Sequence, residues 1–188
     1  FTLGGMTEDI LKKYPRVLGL YSSVDTEIRY LMPYLGRQIK TLSIVSHSSL
    51  FGEIMGNAAE RLAPLNGIKT TNRERVAWDE TDFRAVIARI LLRQPDAVLV
   101  HTSEASQGIF IKQLRELGYQ GQVYAGFSFE AEEVRKSGGA ALDGVFYTYP
   151  TNEVADPAAY EEFRSGYRRR FGSEPNNNAA MAFDIALL

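Results

Sequence analysis

Short apolar runs alternate with segments of helical apolar spacing along most of the chain from Lys40 onward. The runs are rich in β-branched residues, which is typical of strands, whereas the spaced segments place their apolar residues on one helix face. Strands that alternate with helices favour a parallel sheet covered by helices. The predicted strands are residues 41–46, 68–76, 97–100, 122–127 and 144–149.

The segments between these strands predict helices. In the first of them, apolar residues from Phe51 to Leu65 recur at helical spacing, and Asn66-Gly67 is a C-terminal signal. The residues Asp79-Glu80-Thr81-Asp82 favour a helix cap before the stripe at 83–91. Charges at Lys69, Arg73 and Arg75 indicate that the second strand is a sheet edge with one wet face. The remaining predicted helices are residues 25–38, 107–117, 131–136, 157–171 and 178–188.

Composition excludes several classes of protein. The 188 residues carry 23 acidic and 21 basic side chains, a net charge of −2, so the strongly basic surface of a nucleic-acid binder is absent. There is no cysteine, which excludes disulfides, thiolate metal sites and a cysteine nucleophile. No apolar stretch approaches the roughly 20 residues that span a bilayer, so we expect no direct membrane insertion in this segment.

Motifs for catalysis or cofactor binding are also missing. The sequence contains no dinucleotide-binding glycine motif, no P-loop and no Gly-x-Ser-x-Gly nucleophile turn. Its two histidines, His47 and His101, each follow a predicted strand. Their spacing does not favour a metal site, and we expect no cofactor. We interpret both histidines as residues that line a cleft or lie on the surface.

Three loops after the predicted strands are rich in hydroxyl and aromatic side chains. They are residues 46–52, 101–104 and 126–130. Right-handed crossovers bring such loops to one edge of a parallel sheet, where ligands of α/β proteins bind. Hydroxyls and backbone N–H groups at helix N-termini suit an anion, and phenylalanines suit an apolar body. The alternative, that Ser and Thr only cap the helices, is equally consistent with the composition.

Several segments, in this order and spacing, resemble the type I periplasmic binding proteins of the leucine/isoleucine/valine-binding kind. Thr81-Asp82-Phe83 and, further on, Pro95-Asp96 are similar to a Thr-Asp-Phe to Pro-Asp run of that family. Phe51-Gly52 is similar to its aromatic-Gly pair. Supporting matches are residues 111–118, 163–172 and 180–185.

The resemblance implies an α/β three-layer sandwich with a mainly parallel sheet, with one complete lobe and parts of a second. Residues 1–21 would end the first lobe, 22–145 would form the second lobe, and 146–188 would return to the first. It further implies a non-enzymatic solute-binding protein, periplasmic or extracellular and in some members a lipoprotein. Such a protein captures an amino acid, in some cases branched-chain, or a related carboxylate between two lobes and delivers it to an ABC importer permease. The chain then resembles a fragment of a longer protein that carries a signal peptide.

The resemblance also implies ligand contacts. Phe51 takes the place of an aromatic residue that covers the ligand, and the family's ammonium-binding acid falls at about Phe127. An ammonium would then need Glu104 or Glu130, or the ligand would lack one. First-lobe loop residues that hold a carboxylate correspond to Gly5 and Thr7. The other expected ligand-binding residues are Ser49, Thr102 and Ser103.

Two other functions stay open at this stage. The first is a ligand-sensing domain of the same fold, in a receptor or regulator coupled to a kinase or a DNA-binding partner. The second is an α/β enzyme, which the absence of a nucleophile-base pair disfavours.

Overall fold

A five-stranded sheet forms the centre of the unit that spans residues 24–148. The computed structural model describes residues 12–16, 24–149 and 156–187. Each paired strand in this sheet is parallel to its neighbour, and the spatial order is β2-β1-β3-β4-β5. The strands are β1 (Thr41–His47), β2 (Lys69–Val76), β3 (Ala97–His101), β4 (Gln122–Ala125) and β5 (Val145–Tyr147).

Helices cover both faces of this sheet, which confirms the predicted α/β three-layer class. Leu42 and Ile44 of β1 pack in one core with helices α1 (Val24–Leu35) and α2 (Leu50–Leu62). Val45, on the opposite face of the same strand, packs in a second core with α3 (Arg84–Leu91) and α4 (Glu104–Glu116). Helix α5 (Glu132–Gly138) follows β4 and packs beside α4. Burial of each large aliphatic side chain contributes about 1.5–3 kcal/mol.

Several predicted element ends are wrong by a few residues. Helix α2 ends at Leu62 rather than Leu65, because Pro64 begins a 3-10 turn that closes at Gly67 with a φ of 72°. Strand β4 ends at Ala125, and residues 127–130 form a 3-10 turn instead of continuing the strand. Helix α4 begins at Glu104, three residues before the predicted start at 107, and β5 is shorter than the predicted 144–149.

Strand β2 is an edge of the described sheet, as its charged residues predict. Glu74 on this strand accepts hydrogen bonds from Arg89 of α3, with Nη2 to Oε2 at 2.6 Å. The predicted wet face is wrong for Arg73, whose side chain is 7% exposed. The N-cap residue of α3 is Phe83, which makes no side-chain cap bond, but Asp82 of the predicted capping segment accepts from the Arg84 N–H at 3.2 Å.

Two helices belong to the other unit, which comprises residues 1–23 and 149–188. They are α6 (Pro157–Phe171) and α7 (Asn177–Leu187), with Phe163 of α6 and Phe183 of α7 in ring contact at 4.9 Å. Asp156 caps α6 by accepting from the Ala159 N–H at 3.0 Å. In the described part of the chain, no helix has the length and apolarity to cross a membrane. The assignment of the two units to two lobes stays a prediction.

Asp96 joins the starts of the central strands at the sheet edge opposite the strand-end loops. Its Oδ2 accepts from the backbone N–H groups of Lys40 at 2.7 Å and Thr41 at 2.8 Å. Its own N–H donates to Thr41 Oγ1 at 2.8 Å, and its carbonyl accepts from the Gln122 N–H at 3.1 Å. The hydrogen bond from Lys40 holds the pKa of Asp96 below its usual range. Asp96 therefore aligns β1, β3 and β4.

We expect Asp96→Asn to lower the free energy of unfolding by about 1–2 kcal/mol, because the charged acceptor of two backbone N–H groups is lost. The depressed pKa means that this stabilisation is present above the ordinary aspartate pKa and is lost as pH falls through the folded-state pKa. Chemical denaturation of both proteins from pH 7 to pH 3 measures it, and the difference between them should shrink toward acid. Asp143→Asn is the control, because no hydrogen bond to the Asp143 carboxylate is among the described contacts. A difference that is constant with pH would contradict this role for Asp96.

Candidate functional site

The loops after β1, β3 and β4 lie at one edge of the sheet because these strands are parallel and in register. Ser46 of β1 pairs with His101 of β3, and Val100 pairs with Ala125 of β4. The loop after β1 is fixed further by the Ser48 N–H, which donates to the Val76 carbonyl at the end of β2 at 2.8 Å. The predicted convergence of the strand-end loops is therefore present in the fold.

Four rings gather at this edge, and we call Phe51, His47, Trp78 and His101 the ring cluster. His47 ends β1 and is 1% exposed, with its ring edge-on to Trp78 at a centroid distance of 4.6 Å. Phe51 lies in the first turn of α2, and its centroid is 5.1 Å from that of His101 and 6.3 Å from that of His47. Such contacts contribute about 0.5–1.5 kcal/mol each beyond burial.

His47 is held by the loop that follows it. Ser49 Oγ and His47 Nδ1 form a hydrogen bond of 2.7 Å. Burial lowers the pKa of His47, and the carboxylate of Glu104 offsets part of that effect. His47 is therefore a neutral ring oriented by a serine hydroxyl.

His101 is the buried polar group of the ring cluster that has no hydrogen-bond partner among the described residues. It ends β3, is 4% exposed, and neither Nδ1 nor Nε2 has a partner there. Burial, together with a smaller effect of the neighbouring His47, lowers the pKa of His101 to about 4. A position on the protein surface, one of the two interpretations of the histidines, is wrong for both.

Gly126 allows two groups to approach the end of β4. A Cβ at this position would lie 2.9 Å from Glu27 Oε1 and 3.0 Å from His101 Nε2. The Thr148 hydroxyl donates to Glu27 Oε1, which ties α1 to the residue that follows β5. Glu27 and Trp78 belong to this edge although the sequence pattern does not indicate them, because their positions depend on packing between distant segments.

The predicted hydroxyl residues do not cap their helices. Ser49 and Ser103 occupy the N-cap positions of α2 and α4, but neither makes a side-chain cap bond. The Ser103 hydroxyl donates to the Trp78 carbonyl at 2.8 Å, and Thr102 is buried beside it. The interpretation that these hydroxyls only cap helices is therefore wrong for Ser49 and Ser103, which instead fix the loops around the ring cluster.

The structure brings some of the predicted site residues together and leaves others outside the described set. Four predicted residues lie at the ring cluster or in the loops around it: Phe51, Ser49, Thr102 and Ser103. Glu104 is exposed at the start of α4. Glu130 accepts from the Tyr147 hydroxyl at 2.7 Å. The side chain of Phe127 and all of Gly5 and Thr7 lie outside the described residues. No group of three or more metal-ligating side chains occurs among the described residues.

We expect His101 to titrate near pH 4 and to make the fold less stable in mild acid. Its pKa is about 4 in the folded state against an ordinary 6.5, so between these values the unfolded chain binds the proton and the folded chain does not. The free energy of unfolding should then fall by about 2–3 kcal/mol as pH drops from 6.5 to 4, and stop falling below that. NMR titration of the ring signals and denaturation against pH measure both effects.

His101→Gln should flatten this part of the pH dependence, whereas His47→Gln should leave the larger part of it, because burial is the main cause of the lowered His101 pKa and His47 the smaller one. A His101 ring that titrates near pH 6.5 would contradict the buried, neutral assignment.

Comparisons with known proteins agree with this architecture. A Leu/Ile/Val-binding protein homologue of Brucella melitensis is 21% identical over 126 residues, which is 67% of this chain and 34% of the relative. A leucine-binding protein, LivK, of Thermotoga maritima matches with a TM-score of 0.81 and 18% identity over 90% of this chain and 49% of that structure. A solute-binding protein of an ABC transporter from Rhodopseudomonas palustris, in complex with benzoate, matches with a TM-score of 0.79 and 17% identity over 92% of this chain and 48% of that structure.

The chain spans about a third of the curated relative and about half of each of these solved structures. At these identities the structural matches show the fold, an α/β lobe built on a parallel sheet. The family model described as periplasmic binding protein matches residues 3–188, nearly the whole chain. The chain therefore belongs to the periplasmic binding protein family, and its fold is of type I.

Proposed function

We propose that this protein is the solute-binding component of an ABC importer and that its ligand binds at the ring cluster. The proposed ligand is an amino acid or a related small carboxylate. In this proposal the protein acts outside the cytoplasm, passes its ligand to a permease and catalyses no reaction. Family membership supports the class of protein, and the strand-end loops support the place of the site.

The observation that carries the proposal is the arrangement of His101. Its imidazole is buried, neutral and without a hydrogen-bond partner among the described residues. Leaving a buried polar group unpaired costs about 1–3 kcal/mol, which a core leucine at the same place would avoid. Polar groups that are costly to the fold and lie at the ligand-binding edge of an α/β sheet are typical of functional sites.

The chemistry of the ring cluster favours a ligand with a compact apolar body. The half-buried ring of Phe51 and the exposed ring of Trp78 offer flat, weakly polar faces, and two buried neutral imidazoles lie against them. The relatives named above are described as binding leucine or benzoate, and both of these compounds combine an apolar body with one carboxylate. The same combination is proposed for this chain. Gly5 and Thr7 stay the predicted carboxylate contacts.

An amino-acid ligand would also need a partner for its ammonium group. Of the acids near this edge, Glu130 is bonded to Tyr147 and Glu27 to Thr148. Glu104 is exposed at the first turn of α4, close enough to His47 to influence its titration. Glu104 is therefore the proposed ammonium contact, and the predicted role of Phe127 is confined to packing against the ligand.

A thermal-shift screen of the full-length protein with amino acids and small aromatic or aliphatic acids tests the proposal. At least one compound should raise the melting temperature in a concentration-dependent way, because a ligand at 100 times its Kd stabilises the folded state by about 2.7 kcal/mol. The absence of a shift with every compound of both classes would overturn the proposed ligand class while leaving the fold intact.

Two variants of α2 test whether a compound that raises the melting temperature binds at the ring cluster. Phe51→Ala should require roughly tenfold more ligand for the same shift, the scale of losing an aromatic contact of ~1.5 kcal/mol. Leu50→Ala is the matched control, because Leu50 is the neighbouring residue and is 78% exposed. Equal behaviour of the two variants would remove Phe51 from the site.

A further inference from the structure

Strand β2 contains a buried arginine that does not fit the role of an edge-strand charge. The Arg73 side chain is 7% exposed, whereas Arg75 on the same strand is 49% exposed. Arg73 Nη1 donates to Ser46 Oγ at 2.8 Å and to the Glu74 carbonyl at 3.2 Å. Its Nε and Nη2 have no hydrogen-bond partner among the described residues. The guanidinium therefore lies between the sheet and a covering helix with only part of its donors used.

The covering helix is α2, and it approaches closely because it has glycines at the contact. A Cβ at Gly56 would lie 1.8 Å from Arg73 Nη2 and 2.1 Å from Cζ. A Cβ at Gly52, one turn earlier on the same helix face, would lie 2.0 Å from the His47 carbonyl oxygen. The helix therefore lies directly on the guanidinium at Gly56 and on the end of β1 at Gly52.

Ion pairs connect the same turn of α2 to strand β2. Glu53 Oε2 lies 3.7 Å from Arg73 Nη2, and Glu53 Oε1 accepts from Arg75 Nε at 2.7 Å. Burial lowers the pKa of Arg73, because the guanidinium loses part of its hydration between the helix and the sheet. Buried and incompletely paired charges are weak sources of stability, and in some proteins they select one geometry.

Phe51 immediately precedes Gly52, so its place depends on where this helix turn lies. The Ser49 hydroxyl binds His47 Nδ1 instead of capping the helix. The start of α2 is therefore held by its contact with His47 below and by its contacts with Arg73 and Arg75.

We infer that Arg73 is a positioning residue that sets the height of α2 on the sheet and thereby places the Phe51 ring over His101. The inference rests on the proposed function only in taking Phe51 as part of the ligand-binding surface. The geometry itself can be measured without a ligand, because the Phe51 ring current shifts the NMR signals of the His101 ring at 5.1 Å.

The experiment records the His101 ring signals in the full-length protein labelled with [ε1-13C]histidine and assigned with His101→Gln. Phe51→Leu measures the whole contribution of the Phe51 ring. Arg73→Met keeps an unbranched side chain but removes the guanidinium group and its charge. It should move the His101 signal at least half of the way from its wild-type position to its position in Phe51→Leu. In the double variant that combines Phe51→Leu with Arg73→Met, the second substitution should add no further shift, because Arg73 acts on the His101 signal only by positioning the Phe51 ring.

Arg75→Met is the matched control, since it removes the same charge from the same strand and the same Glu53 partner but from an exposed position. It should leave the His101 signal unchanged. Gly56→Ala is the second test: helix propensity alone favours alanine, but the new methyl group must displace the guanidinium. It should shift the His101 signal in the same direction as Arg73→Met.

The inference is overturned if folded Arg73→Met and Gly56→Ala both leave the His101 signal unmoved, or if Arg75→Met moves it as far. Unfolding of both variants would assign Arg73 to stability and also overturn it. If only Arg73→Met unfolds, the His101 signal of folded Gly56→Ala decides whether the inference stands. A failed ligand screen would count against the proposed function and leave this result unaffected.

Discussion

The parallel alignment of β1, β3 and β4 is the constraint on which the candidate site depends. Asp96 contacts the starts of all three strands through its carboxylate, N–H and carbonyl groups. Because parallel strands rise equally per residue, aligned starts give aligned ends. These strand ends carry His47 and His101, Gly126 follows β4, and the ring cluster forms there.

The edge that carries the site is organised differently from the rest of the sheet. At the Asp96 edge, the polar groups that align the strands are hydrogen-bonded to one another. At the opposite edge, the hydroxyls of Ser49 and Ser103 bond to His47 and to the Trp78 backbone, and His101 is left without a partner in the described structure. His101 is thus an unsatisfied polar group where a ligand is proposed to bind, and the other described unsatisfied groups lie on Thr70 and Arg73 of β2 and on Gln107 of α4.

The sequence predicts the sheet and its functional edge because both follow from short-range patterns. The β-branched run in β3 and the apolar stripe of α2 indicate the element type, and right-handed crossovers then bring Phe51 near the loop after β3. The pattern could not predict contacts across the sheet. Arg73 has the charge of a wet edge-strand residue, and it is buried only because Gly56, seventeen positions earlier, leaves room for it. The positions of Trp78 and Glu27 also depend on contacts between distant segments, so the pattern does not indicate them.

Hydrogen–deuterium exchange of the full-length protein, with and without a bound small carboxylate, tests the central claim most directly. The account predicts that the ligand protects backbone amides in residues 47–53, 101–107 and 126–130 and leaves those at the Asp96 edge, residues 64–69 and 118–122, unchanged. Protection at the Asp96 edge, or none at the three strand-end loops while the ligand is bound, would contradict the assignment of the ring cluster as the ligand-binding surface.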